Sequence, residues 1–204
     1  MYIPSFNKFE DKQKVLAFMQ RYSFATIISV KDNVPEATHL PFVVKEENGE
    51  IILLSHFAKA NPQSADIINN NVLVIFTEPH AYISPKNYEK EQNVPTWNYL
   101  AVHAYGTGIF LDDEENKAAL LKETIVNFEP AYFKQWDNLS DDYKRNMMKG
   151  IVAFKIVVHD LQAKAKLSQN RSIKEQENIV NDLSSKPDTT EKAIAEYMTA
   201  LNSK

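Results

Sequence analysis

The chain contains no cysteine, which removes disulfides, cysteine nucleophiles and thiolate metal sites from its chemistry. Glycine is scarce. Only Gly49, Gly106, Gly108 and Gly150 occur, so neither GxGxxG nor GxxxxGK[ST] can be written anywhere, and any nucleotide is held without a glycine-rich loop. No apolar run approaches the roughly 18 residues that a membrane-spanning helix needs. Met1 to Pro4 leads directly into polar sequence, with no secretory leader, so no membrane association and a cytoplasmic location are expected. Basic residues are not in excess: 23 Lys and Arg against 27 Asp and Glu give a net charge of −4, which argues against a strongly basic nucleic-acid groove. The five histidines, His39, His56, His80, His103 and His159, include no i, i+4 helical pair, so no metal site is expected. No GxSxG elbow surrounds any serine, and no catalytic residue is assigned.

What is present describes one ordinary domain. Of 204 residues 44% are hydrophobic, and nine Tyr and eleven Phe favour a β-rich interior, because aromatic side chains suit a pleated, half-buried surface. Val15, Phe18, Met19 and Tyr22 recur at helical spacing and predict an amphipathic helix over 10–22. Strands are predicted over 24–30, 37–44, 51–57, 72–76 and 96–111, with 81–83 continuing the sheet and Asn48-Gly49 marking a two-residue hairpin. Gly106 and Gly108 permit a bend in the long strand. Asp112 and Asp113 cap a helix, a further helix covers about 141–149, and a strand covers 151–158. From Ser172 onward two helices are expected, split at Ser184-Ser185-Lys186-Pro187. Strand runs with helices inserted between them, rather than strictly alternating units, point to a small antiparallel β-barrel with added helices.

The segment from Ser55 to Gln63 carries the strongest chemical signal. It follows the apolar run Ile51–Leu54; Asn61 is a good N-cap, Pro62 fits the first helical position, and a helix over 62–71 is expected. The unpaired N–H groups of such a helix would sit beside the cation Lys59, with Ser55 and His56 able to add hydrogen bonds. That combination suits a phosphate monoester.

Six runs carry a family resemblance: Met1–Pro4, Ala37–Phe42, His56–Gln63, Pro79–Pro85, Val94–Tyr99 and Lys166–Arg171. Together they resemble the PaiB-type FMN-binding transcriptional regulators, whose fold is the flavin-binding split barrel shared with pyridoxamine-phosphate oxidases. The resemblance implies an FMN-binding homodimer with the flavin at the subunit interface, and a split-barrel domain over 1–171 with a helical extension over 172–204 packed on the same domain. It places Ser55, His56, Lys59 and Asn61 at the phosphate end and Thr38, His39 and Leu40 along the isoalloxazine. Trp97 and Asn98 complete the site from the partner subunit. The bland readings are half-buried histidines at His39 and His56, a solvated Lys59, and core packing by Trp97 and Tyr99 at strand period two. Lys166–Arg171 reads as a polar surface turn and is left outside the site.

Two function classes follow. One is a negative regulator of gene expression, acting on DNA directly or through a regulatory protein; no clear helix-turn-helix is present. The other is an FMN-dependent oxidoreductase, of flavin-reductase or haem-degrading type, in which the flavin does the chemistry and the protein orients it.

Overall fold

The computed structural model describes residues 1–68 and 70–202, the side chain of Asn202 excepted. Helix α1 (Lys12–Arg21) precedes strands β1 (Phe24–Lys31), β2 (Val34–Pro41), β3 (Val43–Glu47) and β4 (Glu50–Ala58). The long strands β5 (Asn71–Ile83) and β6 (Thr96–Phe110) follow. Helices α2 (Glu114–Phe128), α3 (Phe133–Asn138) and α4 (Asp141–Met148) lead to β7 (Ile151–Lys166), and α5 (Ile173–Ser184) and α6 (Thr189–Asn202) close the chain. Side chains cap the helices: Asp113, where the sequence predicts a cap, accepts from Asn116 N, and Ser140 and Ser172 accept from Tyr143 N and Glu175 N.

The chain forms two compact units, of which the larger comprises Leu16–Phe76 and His103–Leu161. Its strands belong to a seven-stranded antiparallel sheet in the order β2-β1-β5-β6-β7-β4-β3. Strands β2 and β3 stand at opposite ends of that order, yet only Phe42 separates them in the chain. In a flat sheet six strand spacings of about 4.8 Å would hold the ends roughly 29 Å apart. One linking residue reaches no further than about 7 Å. The sheet therefore rolls until its ends meet, without a β2–β3 ladder: a split barrel. Phe42 N donates to Ser23 O at 2.8 Å and Ser55 Oγ donates to Pro41 O at 2.7 Å, which ties β4 to β2 beside the joint.

Inside lies a phenylalanine cluster. Phe42, Phe57, Phe76 and Phe154 are fully buried, and the Phe42 ring lies 6.0 Å from Phe76 and 6.3 Å from Phe154, edge to face in both cases. Phe57 stacks on Phe154 at 4.9 Å. Offset and edge-on contacts of this kind add about 0.5–1.5 kcal/mol each beyond area burial.

The smaller unit comprises Met1–Val15, Thr77–Val102 and the chain from Gln162 onward. Ile179 and Leu183 of α5 and Ile194 and Met198 of α6 are buried, as are Ile83, Leu100 and Leu167. The two terminal helices thus share a compact unit with the amino terminus and with parts of β5, β6 and β7.

Several boundaries differ from expectation. The strand over 37–44 breaks at Phe42, where the chain crosses the seam. Residues 71–83 form one strand, β5, which contains the cis Glu78–Pro79 bond. The helix over 62–71 is a 3-10 helix of five residues, Pro62–Asp66, because Ile68 then bridges to Gly108 and pulls the chain into the sheet. Helix α3 was not expected. Strand β7 runs on to Lys166, well past 158. No described helix is long and apolar enough to cross a membrane, and the described residues contain no group of three His, Asp or Glu placed to hold a metal ion.

Gly106 and Gly108 permit close approach of backbone. A Cβ at Gly106 would lie 2.5 Å from both Val157 O and Ile156 Cγ2, and one at Gly108 would lie 2.6 Å from Ile67 O. Gly106→Ala and Gly108→Ala should each destabilise the fold by about 1–3 kcal/mol, the usual cost of overpacking, measured by denaturant unfolding. An unchanged midpoint would show that the strands separate freely at these points.

Candidate functional site

Strand β4 ends at Ala58 and the chain turns through Lys59 and Ala60 into the 3-10 helix. This corner is polar and internally bonded. Asn61 Oδ1 accepts from Gln63 N at 3.0 Å, and Asn61 Nδ2 donates to Thr38 Oγ1 at 3.0 Å. Thr38 Oγ1 donates to Gln63 Oε1 at 2.5 Å. Gln63 is buried, and its Nε2 donates to Ile27 O at 3.3 Å, Ser29 Oγ at 3.1 Å and Glu36 O at 3.0 Å. Gln63 is therefore the clasp that fixes the corner onto β1 and β2. Sequence reasoning assigned it no role: a glutamine two residues past an N-cap carries no local signal of burial.

The predicted residues separate by strand period. Along β4, Ser55 faces inward with Leu53 and Phe57, and its hydroxyl serves the seam at Pro41; His56 lies on the opposite, half-buried face with Leu54. Along β2, Thr38 and Leu40 share the half-buried face, whereas His39 is exposed and its ring stacks with that of Phe24 at 6.4 Å. The structure brings Thr38, Asn61 and Gln63 together and sends Ser55 and His56 to opposite faces.

A short 3-10 turn also lacks the free donors that a full α-helix would offer. Lys59 N is bonded to Gly150 O, Asn61 N to Ala58 O, Gln63 N to the Asn61 side chain and Ser64 N to Asn61 O. What remains for an anion is side-chain chemistry. Lys59 is exposed, and its ammonium has no ion pair or hydrogen bond among the described residues. Burial lowers the pKa of His56 below its ordinary value, so at neutral pH its imidazole is neutral, with one N–H donor and one acceptor nitrogen. An unpaired ammonium and a neutral imidazole on one strand end fit a phosphate monoester.

Trp97 and Asn98 belong to the smaller unit. Trp97 is 52% exposed, its ring 5.8 Å from those of both His80 and Tyr82. Asn98 is fully buried; its Oδ1 accepts from Ser168 Oγ at 3.0 Å and its Nδ2 donates to Met198 Sδ at 3.5 Å. Those bonds commit the Asn98 amide to holding β6 to the turn after β7 and to α6, while Trp97 keeps an open ring face.

The same unit contains a feature that sequence reasoning set aside. A cleft of about 410 Å³ is lined by Tyr99, Thr96, Lys164, Lys166 and Arg171, together with Tyr2 and Phe6 of the amino-terminal segment. The run Lys166–Arg171 is a turn, but a partly buried one: Leu167 and Ser168 are buried, and Lys166 is half-buried. Its burial was illegible because β7 was expected to end at 158.

A rolled, split antiparallel sheet of this kind is the fold of the flavin-binding split-barrel proteins. The fold is similar to that of the flavocytochrome Anf3 from Azotobacter vinelandii, with a TM-score of 0.60 at 14% identity over 76% of this chain and 67% of that one. It is similar also to an FAD- and haem-binding protein from Mycobacterium smegmatis, with a TM-score of 0.61 at 16% identity over 78% and 73% of the two chains. Residues 1–160 match the family described as "Putative FMN-binding domain", and the chain belongs to that family, the PaiB-type FMN-binding proteins. It is 39% identical over 97% of its length to "Protease synthase and sporulation protein PAI 2" of Bacillus subtilis (strain 168), covering 96% of that protein.

Gln63→Leu keeps the side-chain bulk but strips the donor from Ile27 O, Glu36 O and Ser29 Oγ. It should cost about 1–3 kcal/mol for the polar groups left buried without a partner, read from chemical unfolding. Wild-type stability would mean that the corner is held by the turn alone.

Proposed function

We propose that this chain is an FMN-dependent negative regulator of gene expression that works in the cytoplasm as a homodimer, with the flavin phosphate held by Lys59 and His56. The observation that carries the reading is the match to the FMN-binding family over residues 1–160, joined by near full-length similarity to a protein named for protease synthase and sporulation. The unpaired Lys59 ammonium supports the phosphate seat. Bound there, the flavin would supply a redox-active ring. The chain's own residues supply the cation, the imidazole N–H, and Thr38 and Leu40 on the half-buried face of β2. Trp97, with its exposed ring, is the group suited to stacking on a flavin across a dimer interface. The net charge of −4 favours a regulatory protein as the partner over direct DNA contact.

A second reading is an FMN-dependent oxidoreductase. The cleft of about 410 Å³ favours it, because a small molecule finds room there that a protein merely storing flavin does not need.

Purified protein mixed with FMN should retain the flavin, with quenched fluorescence, through a desalting column, and should sediment at twice the 23.4 kDa chain mass. Lys59→Ala should weaken FMN binding by about 1.5–3 kcal/mol, the usual worth of a charge-assisted hydrogen bond. Unchanged affinity in that titration removes Lys59 from the site. Deleting the gene from its host should raise secreted protease activity; a host with unaltered protease output would sink the regulatory reading and leave the oxidoreductase.

A further inference from the structure

Lys164 and Lys166 stand two residues apart on β7, hence on one face of the strand, and both line the same cleft. Lys164 is only 8% exposed; its Nζ donates to Tyr2 O at 3.3 Å and lies 5.1 Å from the centre of the Tyr99 ring. Lys166 donates to Thr96 Oγ1. No Asp or Glu lines the cleft, and neither lysine has a carboxylate partner among the described residues. Burial holds the Lys166 pKa below the usual lysine value, opposed by Tyr99 and aided to a smaller extent by the charge of Lys164.

Two like charges without a counter-ion, Lys164 buried and Lys166 half-buried, are costly, and the fold's own bonds do little to offset them: one backbone carbonyl and one hydroxyl for two ammonium groups. The third cation of the cleft is already committed. Arg171 NH1 donates to Asn93 Oδ1 at 2.8 Å and approaches Glu175 at 3.9 Å, while its guanidinium covers the Tyr88 ring at 3.9 Å. The turn between is held in a set shape. Ser168 has a left-handed φ of 60°, stabilised by its hydroxyl bond to Asn98 and by Arg171 N donating to Ser168 O at 3.0 Å. The lining also includes open apolar side chains, with Phe6 54% and Val94 73% exposed. The volume of about 410 Å³ lies within the range of small-molecule sites.

We propose that this cleft binds a small phosphate monoester other than the flavin, its dianion neutralised by Lys164 and Lys166 and its flat apolar body lying against Tyr99, Tyr2 and Phe6. Two ammonium groups match the two charges of a phosphate monoester better than the single charge of a carboxylate. The site shares no residue with the Lys59 and His56 seat, so it stands whether or not flavin binds there.

Calorimetric titration of the full-length protein with phenyl phosphate, benzoate and FMN tests this. Phenyl phosphate should bind more tightly than benzoate. Lys164→Met and Lys166→Met should each weaken phenyl phosphate binding by about 10- to 150-fold, one charge-assisted hydrogen bond apiece, and leave FMN affinity unchanged. Lys166→Arg, which keeps the charge, should retain binding. Ligand-free Lys166→Met should melt no lower than wild type, because it removes a half-buried charge that has no carboxylate partner. Tighter binding of benzoate, or phenyl phosphate binding that both methionine variants preserve, overturns the proposal. So does an equal loss of FMN affinity in those variants, which would make the cleft the seat of the flavin's own phosphate. If Lys166→Met fails to fold, Lys164→Met and Lys166→Arg carry the same comparison.

Discussion

A single residue, Phe42, joins strands from the two ends of a seven-strand order, and the rest of the larger unit follows from that constraint. With roughly 29 Å to close and about 7 Å of chain to close it, the sheet has no flat solution. Rolling turns one face inward, and the inward positions must fill a narrow space with large side chains in register, which is what Phe42, Phe57, Phe76 and Phe154 do. Rolling also brings backbone against backbone, so Gly106 and Gly108 stand where a methyl group would meet a carbonyl. The seam is finished by polar bonds to neighbours distant in sequence, Ser55 to Pro41 and Gln63 to Ile27 and Glu36.

The candidate flavin seat inherits its character from this seam. Thr38, Ser55, Asn61 and Gln63 look like ligand groups by type, but the geometry employs them in closing the barrel. Polar groups already satisfied by one another contribute shape and rigidity, and the residues with chemistry to spare are those the barrel does not use: Lys59, His56 and the ring of Trp97. A rigid corner that presents one cation is a suitable arrangement for holding a phosphate in a single position, since little ordering remains to oppose binding.

Much of the fold was legible because its signals are local. The Asn48-Gly49 hairpin appears with positive φ at both residues, as that turn requires, and the cap Asp113 sits at a helix start. Asn61 and Pro62 mark the right starting residue but not the kind of helix, because the bridge from Ile68 to Gly108 is a tertiary fact. The face of each strand residue was legible only where alternation is clean. Period two places Trp97 and Asn98 on opposite sides, yet it does not say which side is buried. The far end of β7 was missed because His159, Asp160 and Gln162 interrupt its apolar pattern, and with it went the burial of Lys164 and Lys166.

The pairing of β4 with β7 also sets an order of events during synthesis. Ile51 pairs with Val158, 158 − 51 = 107 residues later in the chain. A ribosome adding about 5–20 residues per second takes on the order of 5–20 seconds to cover that distance. Throughout that interval the apolar edge Ile51–Leu54 is finished but has no neighbour on that side, and the hairpin with β3 guards only the other. A nascent chain of this protein is thus a natural client for whatever shields strand edges in its host, until β7 has been made.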